Sequence, residues 1–221
     1  MQPPTNAPRK SRKLYRFAAT IVPSRDLREV PHDSRFGIDR LARALEINGS
    51  GPALYYRTSI LVALGKHMRA TYTDAREAQV FLAWFDRRTA VWATCVLARM
   101  CLADVPADDP RPLAAIEVTE RWLVGGATLE EVRAARKGAY ARGVDPAVLA
   151  GFMAACSTAG GTNARCADTR HAVDIVDATT RVCVRRRGVF SDWRREAKVE
   201  HRRLVGVIAD ALPGLPPEAL A

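Results

Sequence analysis

Apolar positions recur at three- and four-residue steps along most of this chain, the spacing that lines one face of a helix. The pattern is strongest between Asp86 and Gly126. Val91, Trp92, Cys95, Val96, Ala98, Met100 and Cys101 form one apolar set, and Leu113, Ile116, Val118, Trp122 and Leu123 form a second. Between them stands Ala107-Asp108-Asp109-Pro110-Arg111-Pro112, a turn in which Asp108 or Asp109 suits a helix cap. Pro110 stands where a proline fits, because the first helical N–H has no partner to lose. The second set stops at Gly125-Gly126. The pattern predicts a helical hairpin with Trp92 and Trp122 largely buried on its two arms.

Ahead of the hairpin, Phe36, Ile38, Leu41 and Leu45 predict a short helix from Asp33-Ser34 to Asn48-Gly49. Pro52 opens the next, with Leu54, Tyr55, Ile60, Leu61 and Leu64 at its apolar positions. Thr73 or Asp74 starts a third, through Val80, Phe81, Trp84 and Phe85; periodicity leaves open whether 74–103 is one helix or breaks near Asp86. Beyond the hairpin, Thr128-Leu129-Glu130-Glu131 is a capping box, threonine at the cap and glutamate three residues later. Its helix should end at Arg142-Gly143, and Asp145-Pro146 starts another toward Gly160-Gly161. A longer helix spans 163–186 and ends at Gly188. Ser191 or Asp192 caps the last one, which Pro213 stops. The one β-rich run, Arg181-Val182-Cys183-Val184, is better explained as helix. The chain therefore reads as all-α, an antiparallel multi-helix bundle or a solenoid-like helical stack. Residues 34–212 make the helical domain, 1–33 a flexible, basic, proline-punctuated arm, and 213–221 a loose tail.

Composition narrows the class. At 221 residues the chain is long enough to bury a substantial core. It lacks an apolar run of the roughly 18 residues a spanning helix needs, so no membrane role is expected. No hydrophobic segment follows the first basic residues, which argues against a secretory signal. The five cysteines (Cys95, Cys101, Cys156, Cys166 and Cys183) are odd in number and form no Cys-x-x-Cys pair. Reduced core thiols in a cytoplasmic protein are the expectation. The net charge of +10 is unevenly placed. Residues 1–33 carry seven basic side chains against three acidic, and 181–203 carry nine against three. The rest of the chain balances at eighteen of each sign.

A run with arginine, tryptophan-alanine and alanine-arginine at fixed spacing spans Arg87 to Arg99. Asp109-Pro110-Arg111-Pro112, Ala115-Ile116-Glu117, and Trp122 with Gly125-Gly126 follow it. With the alanine- and arginine-rich helix at 129–142 and the small-residue helices after 146, these features cover residues 80–210. That stretch resembles a family of bacterial immunity proteins, the Imm-5-like helical domain. The resemblance implies a non-enzymatic protein-interaction module that neutralises a toxin or effector by binding.

The candidate chemistry is sparse. Asp108, Asp109, Arg111, Glu117, Glu120 and Arg121 cluster at a helix start and along one face. They serve either as caps with a Glu117–Arg121 pair four residues apart, or as a partner-binding surface. Arg185, Arg186, Arg187, Arg195, Lys198 and Arg202 form the densest basic segment, with Arg195, Lys198 and Arg202 on one helical face. They make nucleic acid the alternative partner, attracted through its phosphates, unless they form only a solvated face. Asp168, His171, Asp174 and Asp177 share a helical stripe, but metal sites draw ligands from more than one element, so no metal is expected. Ser157, Thr158 and Thr162 beside Gly160-Gly161 match neither a nucleophile elbow nor a phosphate loop. Catalytic residues and cofactors are expected to be none.

Overall fold

A computed structural model describes residues 53–85, 87–105, 109–139, 154, 169–188, 192–216 and 219. Seven α-helices account for most of them, and no strand occurs among the described residues. The helices are α1 (Ala53–Thr71), α2 (Ala75–Phe85), α3 (Arg87–Cys101), α4 (Arg111–Leu123), α5 (Leu129–Ala139), α6 (Thr169–Arg186) and α7 (Trp193–Ala211). Short 3-10 turns follow α3 at Leu102–Asp104 and α7 at Leu212–Gly214. None of these helices is long and apolar enough to cross a membrane. The basic arm, the helix expected at 34–48 and the stretch around Gly160-Gly161 lie outside the described residues, as does Asp108.

The all-α expectation holds, and its local reasons are visible. Asp74 Oδ1 accepts the Arg76 N–H at 2.9 Å at the start of α2, and Asp192 Oδ1 accepts the Arg195 N–H at 3.1 Å at the start of α7. The capping box forms as read: Thr128 Oγ1 accepts the Glu131 N–H at 3.2 Å, and Glu131 Oε2 accepts the Thr128 N–H at 2.6 Å. At the start of α4 the cap position falls to Pro110, which has no side-chain oxygen to offer, and Asp109 one residue earlier takes the Arg111 N–H at 3.1 Å. The other end of α4 closes in a Schellman arrangement. The Gly126 N–H reaches Arg121 O at 2.8 Å and the Gly125 N–H reaches Trp122 O at 3.1 Å. Gly125 holds φ +76° there, a conformation that side chains disfavour.

Helices α2, α3, α6 and α7 form the central body, α1 lies on α7, and α4 on α3. Helix α5 packs chiefly on α4. Leu64, Leu82, Leu97, Ile116, Ile175 and Ile208 are fully buried in one continuous core that draws on α1, α2, α3, α4, α6 and α7. A smaller apolar cluster joins Ala115 and Val118 of α4 to Val132 and Ala139 of α5. Where α1 crosses α7, backbone meets backbone. A Cβ on Gly65 would lie 2.6 Å from the Ala209 carbonyl oxygen, so only glycine fits.

Trp92 and Trp122 are partly buried and packed against the core. The Trp92 indole N–H needs an acceptor and finds Ala211 O at 2.8 Å, which keeps the ring at the edge of the core. Trp122 packs against both apolar clusters and lies 5.2 Å from the Arg87 guanidinium. One expectation is corrected: the stretch expected as a loose tail at 213–221 is packed at its described residues. Leu215 and Ala219 are core residues, and Arg88 donates to Ala219 O at 2.8 Å.

Candidate functional site

The basic segment divides into two groups that the sequence does not distinguish. Arg186 and Arg187, at the end of α6, are consumed by internal pairing. Arg186 Nε donates to Asp104 Oδ1 at 2.6 Å and its Nη2 to Met100 O at 3.1 Å, tying α6 to the end of α3. Arg187 Nη2 donates to Glu200 Oε2 at 2.6 Å. Arg203 closes on the other oxygen, with Nε and Nη2 at 2.9 and 2.6 Å from Glu200 Oε1. Glu200 is only 1% exposed, so this pair of guanidiniums neutralises a buried carboxylate.

The second group stands free. Arg194, Arg195, Lys198 and Arg202 are exposed and form no ion pair among the described residues. Helix α7 explains why. Its inner face is His201, Leu204, Val205, Ile208 and Ala209, all buried, and the four cations border that face toward the start of the helix, where they are exposed. Arg195, Lys198 and Arg202 were predicted to share a face and do. Arg194 joins them, a member the sequence reading left out. Arg185 is exposed at the end of α6.

A cleft of about 900 Å³ runs between this row and the α1–α2 turn. Arg194, Lys198 and Arg202 line one wall, with Trp193 and Val199, and Asp74, Arg76 and Glu77 line the other. Trp193 and Val199 are 43% and 51% exposed, the most exposed large apolar side chains among the described residues. The lining carries four cations against two carboxylates.

Beneath the cleft, His201 fixes α7 to its neighbours. His201 Nδ1 donates to Asp74 Oδ1 at 2.7 Å, Arg76 Nε donates to Asp177 Oδ1 at 2.6 Å, and His201 Nε2 lies 4.0 Å from the same Asp177 oxygen. His201 thus meets Asp177 from the α6 stripe and Asp74 from the α1–α2 turn. Its Nε2 is sealed from solvent and has no hydrogen-bond partner, so it positions α7 and cannot reach a ligand as a base. No group of three metal-ligating side chains comes together among the described residues.

The acidic and basic cluster of α4 is brought together only in part. Asp109 and Arg111 close on each other, with Arg111 Nε and Nη2 each 2.7 Å from a carboxylate oxygen. That contact holds the Asp109 carboxyl below its usual range. Glu120 is taken by Arg99 of α3, at 2.7 and 2.6 Å. The expected Glu117–Arg121 pair does not form. Both residues instead border a shallow depression of about 550 Å³ with Ala114 and Val124.

The described thiols offer no nucleophile. Cys95 and Cys101 are buried and unbridged, as expected. Burial drives the Cys95 thiol far up and pushes Cys101 up to about 11, so both stay protonated at neutral pH. Cys183 is half-buried and is also raised by burial. No protein-family model, curated protein or solved structure matches this chain, so its functional reading is carried by the chemistry of these side chains.

Proposed function

We propose that this protein acts by binding and that nucleic acid is its partner, received along the exposed basic row at the start of α7. One observation carries this reading. Arg194, Arg195, Lys198 and Arg202 are exposed and unpaired, while Arg186, Arg187 and Arg203 are held by carboxylates of the fold. Cations without internal partners are the ones that displace counterions from phosphates. The free row thus supports the alternative partner of the sequence reading above the protein partner.

The test is a titration across a salt series. Replacing all four residues of the row by glutamine should flatten the dependence of log affinity on log salt by about three units on whichever DNA form, duplex or single strand, the wild type binds. Arg186→Gln with Arg187→Gln should leave that slope unchanged, because those side chains are not available to phosphate. Equal flattening by both variants, or no binding by the wild type at low salt, would remove this reading.

A protein partner is the second reading, and the outer face of α4 favours it. Leu113 and Val124 are 39% and 38% exposed, eleven residues apart and therefore on one side of the helix. Glu117 and Arg121 lie between them without an ion pair among the described residues. The resemblance to immunity-type domains supplies the partner class, a toxin or effector. Leu113→Asp with Val124→Asp should weaken such a complex at least tenfold, since charge would enter the centre of its interface. Calorimetry with a toxin encoded beside this chain checks it, and unchanged affinity would exclude the α4 face.

A further inference from the structure

The cleft beside α7 has a shape and composition that select among nucleic acids. We infer that it is a single-strand site in which Trp193 stacks a base while Arg194, Lys198 and Arg202 follow consecutive phosphates. This rests on the nucleic-acid reading above and adds the strand form, the stacking residue and the register.

Three observations point there. The first is the row itself. Arg194, Lys198 and Arg202 stand at four-residue steps, so the helix repeats a cation about every 6 Å over about 12 Å. Side chains of this length match a backbone that presents one phosphate per nucleotide. The closely spaced phosphates of a polyphosphate would crowd a single member of the row.

The second is the aromatic. Trp193 begins α7, is 43% exposed, and lines the same cleft as the three cations. A large flat ring beside unpaired arginines and lysine supplies both elements of single-strand binding, a stacking platform and an electrostatic track. Val199, 51% exposed, extends the apolar part of that wall.

The third is enclosure. Duplex recognition by a helix requires the helix to enter a major groove about 12 Å wide. Helix α7 is packed on α1, α2, α3 and α6, and its basic row faces a second wall built by Asp74, Arg76 and Glu77. That wall is held in place by the Asp74–His201 and Arg76–Asp177 contacts. A helix set into a cleft cannot project into a groove, whereas an unpaired base with its phosphate enters one. The wall carries negative charge at Glu77, so a strand is held to the α7 side of the cleft.

The experiment uses the full chain and two fluorescein-labelled probes, a thymidine oligonucleotide of about twelve residues and a duplex of equal length. Wild-type protein should bind the single strand at least tenfold tighter at equal salt. Trp193→Ala should weaken single-strand binding by about tenfold while leaving its salt slope unchanged, because stacking carries no counterion release. Trp193→Phe should recover most of the affinity. Arg194→Gln with Lys198→Gln and Arg202→Gln should instead lower the single-strand slope by about two units. Circular dichroism would confirm that each variant stays helical, and the phenylalanine variant keeps the stacking test valid if the alanine variant does not. Equal affinity for the two probes, or full retention of single-strand binding without the aromatic ring, would overturn the single-strand site and leave the nucleic-acid reading standing. No binding to either probe would remove both.

Discussion

Replacing Arg187 and Arg203 together by alanine is expected to lower stability by about 3–5 kcal/mol, although both arginines reach the surface. The reason lies in the partner they share. Glu200 is 1% exposed and its two oxygens receive charge-assisted hydrogen bonds from both guanidiniums at 2.6–2.9 Å. Without them the carboxylate would stay buried with no cation beside it. Each single change leaves one guanidinium in place and should cost distinctly less, so the double variant should exceed the sum of the singles. Urea unfolding of the four proteins in this cycle measures the coupling. Adding Glu200→Met to the double variant should recover most of the loss, because an apolar side chain of similar length suits the site. A double variant within about 1 kcal/mol of the wild type would mean that water, not arginine, satisfies Glu200.

The basic segment around these residues shows where sequence reasoning reaches its limit. Arg186, Arg187, Arg195, Lys198 and Arg202 look alike along the chain, a run of cations near its end. Which of them are spent internally depends on carboxylates brought from elsewhere: Asp104 lies 82 residues from Arg186. Glu200 stands among basic residues in sequence and gives no sign of being buried. His201 and Asp74 are 127 residues apart, and no spacing rule joins them. Trp193 next to Arg194 was visible as an aromatic beside cations, the one signal that could have marked the cleft before its walls were known.

Local rules did carry the helix ends. The Thr128–Glu131 capping box, Asp109 ahead of Pro110, the glycine stop at Gly125 and Asp192 before the last helix all depend on neighbours within a few residues. Periodicity also placed much of the inward faces of α3 and α4, including Ile116 and Leu123, both fully buried, but it counted Leu113, which is 39% exposed. It could not give depth. Trp92 lies on the apolar face of α3, yet its N–H must reach the Ala211 carbonyl, and that requirement holds the ring at the rim. Glu117 and Arg121 had the spacing of an ion pair but no tertiary contact to order them, and such pairs contribute only tenths of a kcal/mol on their own.

Depth is what makes Leu97→Ala the other large effect, at about 2–5 kcal/mol. Leu97 is fully buried in α3, the helix that packs against α2, α4, α6 and α7. Its carbonyl accepts the Thr179 hydroxyl of α6 at 3.3 Å, and Thr179 also bonds Ile175 O within its own helix at 2.8 Å. The α3–α6 seam is therefore fixed by side chain and backbone together, and neighbouring helices cannot slide inward to fill the space left by the lost methyl groups. Collapse being limited, the cost should fall in the upper half of the range for such truncations. Val124→Ala on the open face of α4 provides the contrast, with an expected change within about 0.5 kcal/mol. Thermal and urea unfolding of both variants checks the pair. A Leu97→Ala protein as stable as Val124→Ala would show that the centre of the core lies away from the α3–α6 seam. If Leu97→Ala is destabilised but still folded at low temperature, its salt slope for nucleic acid should match the wild type. The row on α7 is exposed and its counterion release does not depend on a core methyl group.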